Sequence, residues 1–176
     1  MQIVPDSYWG HLEYSLQFTL FFILLCSVPF LMSSCAKTTT VNMGPMDITM
    51  LENWSGDYPV SELGRLPEKQ QDLTAGYIGD TETFIPVWRA FMPKEILPLV
   101  DFSKNIVVFT RNTRFYNRKS IISVRQQNGI AEIIAMETRS AMPIEEKVAM
   151  AMAVIPRAGV VAIQAGDKKI QVMDFQ

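Results

Sequence analysis

The sequence predicts a mainly β fold with a minor helical part: a small antiparallel β-sandwich or open barrel with one short helix packed on it. Three stretches of the 176 residues carry that expectation. Ile106-Val107-Val108-Phe109 is an apolar, β-branched run of strand length. Ser120 to Gln127 and Ile130 to Met136 flank Asn128-Gly129, the residue pair that supplies the positive φ angles of a tight type I′ hairpin turn. Ala149 to Ile155 and Val160 to Ala165 follow, separated by Pro156-Arg157-Ala158-Gly159, and Gly166-Asp167 turns the chain into Lys169 to Val172. Four or five antiparallel strands in such short succession suit a sandwich or small barrel.

The elements before these strands differ in kind. An apolar run from Phe18 to Met32 leads into Ser33-Ser34-Cys35, with no cysteine after it. A short hydrophobic core, small residues and a cysteine resemble the lipobox of bacterial lipoproteins, which implies lipidation at Cys35 and removal of residues 1–34 as a signal peptide. Asp6, Glu13 and His11 precede the run and no basic residue does. That keeps an uncleaved anchor helix as the alternative, although about 20 apolar residues are needed to span a bilayer. In the resembling systems Asp after the cysteine holds a lipoprotein at the inner membrane. Ala36 stands here, which implies the outer membrane facing the periplasm.

Residues 35–47, rich in Thr, Asn and small residues, read as a flexible tether, and residues 48–176 as a single β-rich domain. Between Ile48 and Asp80 the recurrence of Gly56, Pro59, Gly64, Pro67 and Gly79 suits short strands and turns. The one persuasive helix lies next. Asp80 or Thr81 can cap it, Glu82 favours its first turn, and Phe84, Val87, Trp88 and Phe91 fall on one face, with Pro86 and Pro93 limiting its length. Trp88 and Phe91 are expected to pack on the sheet face that includes Val108.

Composition then narrows the chemistry. All 16 Lys and Arg lie beyond Cys35, while Asp6 and Glu13 of the 18 acids precede it, so a mature chain of 142 residues carries 16 charges of each sign. A neutral chain has no global field for nucleic acid, and none is expected as a partner. The mature chain has no His, and its one Cys is assigned to lipid. Ser-His-Asp and Cys-His catalysis and His-ligated zinc are thereby removed. Carboxylate chemistry remains as an alternative, a hydrolase acting in the envelope through Glu145, Glu146 or Asp101. Yet adjacent glutamates do not face each other across a substrate, and Asp101 suits a turn that satisfies nearby backbone N–H groups. A second alternative is Cu(I) held by thioethers of Met43, Met46 and Met50, or of Met150 and Met152, against the ordinary use of methionine as a core filler. No cofactor is expected.

The most pointed local feature is basic. Lys104, Arg111, Arg114, Arg118, Lys119 and Arg125 occur with no acid among them, interleaved with Phe109, Phe115 and Tyr116. Such charges can merely guard a solvated hairpin tip or a sheet edge. The functional reading assigns Arg111, Arg114, Phe115, Tyr116, Arg118 and Lys119 to a contact surface for a partner protein, lipid headgroups or another anionic envelope component.

The helix containing Trp88, then Pro98-Leu99-Val100-Asp101-Phe102-Ser103, the strand Ile106 to Thr110, the hairpin and the late Ala153-Val154-Ile155-Pro156-Arg157 together resemble the C-terminal domain of the protease-complex subunit PrcB family, over about residues 80–172. The most specific piece is the P-x-x-D-F-S stretch entering a hydrophobic strand. Family members tend to carry Gly-rich turns after that strand, where this chain has Arg111 to Lys119. The resemblance implies a small extracytoplasmic accessory or binding domain without a catalytic centre, partnered by an envelope protein such as a protease.

Overall fold

The computed structural model describes residues 44–172; the leader, Cys35 and most of the Thr-rich run lie outside the described residues. Nine strands run in the order β1 (Met46–Ile48), β2 (Glu52–Pro59), β3 (Ala75–Ile78), β4 (Asn105–Arg111), β5 (Lys119–Gln127), β6 (Ile130–Glu137), β7 (Lys147–Pro156), β8 (Ala162–Ala165) and β9 (Lys168–Gln171). One α-helix, α1 (Thr81–Phe91), and two 3-10 turns are the helical elements among the described residues. Two sheets form, ordered β2-β7-β4-β3 and β1-β5-β6-β8-β9. This is a small β-sandwich with one helix, and it is not closed into a barrel. No helix among the described residues is long and apolar enough to cross a membrane.

The four-stranded sheet lies in the middle of three layers, so its central strands are apolar on both faces. In β7, Val148, Met150, Met152 and Val154 join Val107 and Phe109 of β4 in a core beneath α1. The alternate residues Ala151, Ala153 and Ile155 join Ile106 and Val108 in a second core against the five-stranded sheet. Side chains of a strand alternate between faces, and that parity corrects the expectation for Val108. Trp88 and Phe91 pack with Val107 and Phe109, while Val108 points away toward the other sheet.

Helix α1 starts where its cap directs. The Asp80 carboxylate accepts from the Thr83 N–H at 2.7 Å and from the Thr83 hydroxyl at 3.1 Å. Pro86 sits inside the helix rather than limiting it, because its φ suits a helix and only one backbone donor is lost; the helix ends at Phe91, with Met92 as its cap just before Pro93. Its apolar stripe meets Trp54 of β2, whose ring lies edge-on to Trp88 at 4.8 Å between centroids. On β3, Gly76 lies opposite Phe109, and a Cβ there would come within 2.4 Å of that ring and 2.1 Å of Gln70 Oε1. The position admits only glycine because the ring occupies the missing side chain's space.

The hairpin forms as expected, with Asn128 and Gly129 at φ of 51° and 79° joining β5 to β6. Three features depart from the sequence reading. The domain starts before residue 48, since Met46–Ile48 pairs with Val124–Gln126 of β5. The late strands are not a simple antiparallel succession, because β7 crosses to the other sheet and β8 returns to pair in parallel with β6. A bulge between Ile121 and Ser123 lets Ile121 and Val124, three residues apart, both face the inter-sheet core. There Asn53 Nδ2 donates to the Ile121 carbonyl at 2.7 Å, joining the two sheets at one corner.

Trp88 is 3% exposed and touches three aromatic rings. Trp88→Ala should cost about 3–5 kcal/mol in chemical denaturation, whereas a loss under about 0.5 kcal/mol would place it outside the core.

Candidate functional site

Strands β4 and β5 belong to different sheets, so residues 112–118 are a crossing between sheets and not the hairpin tip expected from sequence. The crossing is held at several points. Phe115 pairs with Pro143, and the Tyr116 N–H donates to the Met142 carbonyl at 3.0 Å. Asn117 N–H donates to Asn112 Oδ1 at 3.2 Å, and Arg118 N–H to Thr138 Oγ1 at 3.0 Å. A short loop pinned in this way presents its outward side chains in one arrangement.

The six residues assigned to the contact surface separate into two groups. Arg114, Phe115 and Arg118 are exposed, with 52% of Phe115 open to solvent. Tyr116 is half-buried and its hydroxyl donates to Asp57 Oδ1 at 2.5 Å. Lys119 retains 12% side-chain exposure and pairs with Glu137 Oε2 at 3.0 Å. Arg111 is buried at 4% exposure and donates to the backbone carbonyls of Asn112, at 3.0 Å, and Gln71. Arg111 is therefore part of the interior and not of an exposed surface, because it is the last residue of a strand covered on both faces. The exposed contact group contracts to Arg114, Phe115 and Arg118, with the edge of Tyr116.

Behind the loop stands a clasp. Lys147 Nζ lies 2.6 Å from Asp57 Oδ2 and 5.8 Å from the centre of the Tyr116 ring. Burial alone would raise the Asp57 pKa, but hydrogen bonds from Lys147 and Tyr116 outweigh it and hold the carboxyl below its usual value. The same Asp57 bond raises both the Tyr116 phenol and the Lys147 ammonium above their ordinary values. Tyr116 thus keeps its proton and Asp57 has both oxygens engaged, so the trio ties β2, β7 and the crossing together. Nothing in the sequence links Asp57 to a tyrosine 59 residues later.

Two recesses flank the crossing. One, of about 440 Å³, is lined by Tyr116, Met142, Pro143, Glu145, Glu146 and Lys147. The other, of about 550 Å³, lies on the side of Arg111, Asn112 and Asn117. The remaining sequence candidates are dispersed. Asp101 accepts from Ser103 N–H at 3.1 Å in the turn before β4, and Glu145 and Glu146 are exposed. Met150 and Met152 are buried under the helix, whereas Met50 packs on the opposite side of the same sheet and Met46 is exposed, so these thioethers do not converge. Met43 lies outside the described residues.

Comparison with family models, curated proteins and solved structures yields no match.

The lowered Asp57 pKa has a definite pH sign. Its stabilising contribution is present above the ordinary value of 3.8 and is lost as pH falls through the lower folded value. Asp57→Asn should flatten that acid limb of the stability curve, measured by denaturation between neutral and acid pH. An unchanged acid limb would show that the clasp does not form.

Proposed function

We propose that this chain is a lipid-anchored extracytoplasmic accessory domain, without catalysis of its own, that binds a partner protein or an anionic envelope component. The observation that carries this reading is the pinned crossing, which bears a half-exposed aromatic residue, Phe115, with exposed arginines, Arg114 and Arg118, on either side of it in the chain. Cations flanking an apolar anchor suit an anionic contact, with charge steering the encounter and the ring giving up its hydration on docking. The lipobox-like Ser33-Ser34-Cys35 and the Thr-rich run behind it support a membrane-tethered placement. The resemblance to the PrcB C-terminal domain supports an envelope partner such as a protease.

The anchor and the contact are tested separately. Cys35→Ala should leave an unprocessed precursor that no longer partitions as a lipoprotein in detergent phase separation. An uncleaved wild-type chain with unchanged partitioning would establish the anchor helix instead. For the contact, the full chain in neutral detergent is applied to heparin-agarose as an anionic probe. Arg114→Glu with Arg118→Glu should elute at clearly lower salt, with stability within about 0.5 kcal/mol of wild type because exposed charges contribute little to folding. Equal elution of variant and wild type would remove the basic loop from the reading.

A further inference from the structure

The buried polar residues of the described chain are unevenly placed. Apart from Gln70, they are Thr110, Arg111 and Asn112, three consecutive residues where β4 ends and the crossing begins. Thr110 and Asn112 are satisfied: the Thr110 hydroxyl donates to the Thr74 carbonyl at 3.0 Å, and Asn112 accepts from Asn117 N–H. Arg111 is not. Among the described residues no carboxylate lies within ion-pair distance of it, its two side-chain hydrogen bonds go to neutral carbonyls, and its Nε has no partner. The Asn117 Oδ1, on the same recess, is also buried without a partner. A guanidinium held in the interior without a direct ion-pair partner is costly, and folded proteins ordinarily pair such a group.

Arg111 lines the open recess of about 550 Å³. Lys119 and Glu137 in its wall neutralise each other at 3.0 Å. Arg111, Arg114 and Lys168 then face Asp72 and Asp167, so the lining carries one positive charge in excess. Burial pulls the Arg111 pKa below the ordinary value while Asp72 opposes that, so the nearby acid only partly compensates.

We propose that this recess is a binding site for a singly charged carboxylate, received by the Arg111 guanidinium at its inner end. The planar fork of arginine matches a carboxylate geometrically, and one excess positive charge suits a monoanion better than a phosphate dianion. The ligand is a small carboxylate or the carboxyl terminus of a peptide; both present the same group. This site stands on the core end of β4 and needs neither the lipid anchor nor the heparin contact.

The test is a titration of the isotope-labelled full chain in neutral detergent, following the arginine Nε–Hε signals by NMR, with that of Arg111 assigned through backbone connectivities. Acetate should move the Arg111 signal saturably. A short N-acetylated peptide with a free carboxyl terminus that binds on the order of tenfold tighter than acetate, with its terminal amide silent, would identify a chain terminus as the source. Equal affinities would identify a small carboxylate. Arg111→Lys, which keeps the charge and loses the fork, should weaken acetate on the order of tenfold; should that variant fail to fold, the wild-type titration still decides. Movement that is linear and reproduced by sodium chloride would overturn the site. So would phosphate binding as well as acetate does.

Discussion

The structure depends on one constraint: β4 and β7, the central pair of the four-stranded sheet, are buried on both faces. On the helix side β7 offers Val148, Met150, Met152 and Val154, side chains long enough to meet Trp88 and Phe91 of α1. On the opposite side it offers Ala151 and Ala153, small enough for the second sheet to close on β4 through Ile106 and Val108. A strand whose one face is large and whose other face is small until Ile155 sets the spacing of two layers at once, since interiors are packed too densely to absorb a misplaced methylene. The remaining elements adapt to it, from Gly76 beneath the Phe109 ring to the Asn53 bond that joins the sheets at the β5 bulge.

The same constraint shapes the candidate site. Because β4 is covered on both faces to its end, Arg111 is carried inside with it, and the chain must then cross to the other sheet within residues 112–118. That crossing has little regular structure of its own and is held by side chains from elsewhere: Asp57, Thr138 and the backbone of Met142. It exposes Arg114, Phe115 and Arg118, and the first two of these also line the recess that Arg111 borders. One segment thus joins an exposed cationic surface to a buried cation that the nearby acid only partly compensates.

Local structure was legible in the sequence wherever a local rule decides it. Asp80 as a cap, the Phe84-Val87-Trp88-Phe91 stripe and the Asn128-Gly129 turn act over a few residues, and each took the expected form. The assignment of strands to sheets was not legible, because an apolar run such as Ile106–Phe109 looks alike whether its neighbour is β5 or β7. That ambiguity turned a crossing into an expected hairpin and put Val108 on the wrong face. It also placed Arg111 in an exposed contact surface. Asp57, which engages Tyr116, could not be found from sequence because that contact is made by the tertiary fold alone, whereas Glu137 faces Lys119 across the β5–β6 hairpin, in a register that the bulge after Ile121 shifts by one residue.

The most direct measurement of this account is the equilibrium denaturation of Ala151→Leu. Ala151 is fully buried on the small face of β7, opposite Thr110 of β4 and Ser55 of β2. If the small face sets the separation of the sheets, three added carbons have nowhere to go and stability should fall by about 1–3 kcal/mol or more. A variant within about 0.5 kcal/mol of wild type would show that the sheets are not closely packed there and would contradict the account.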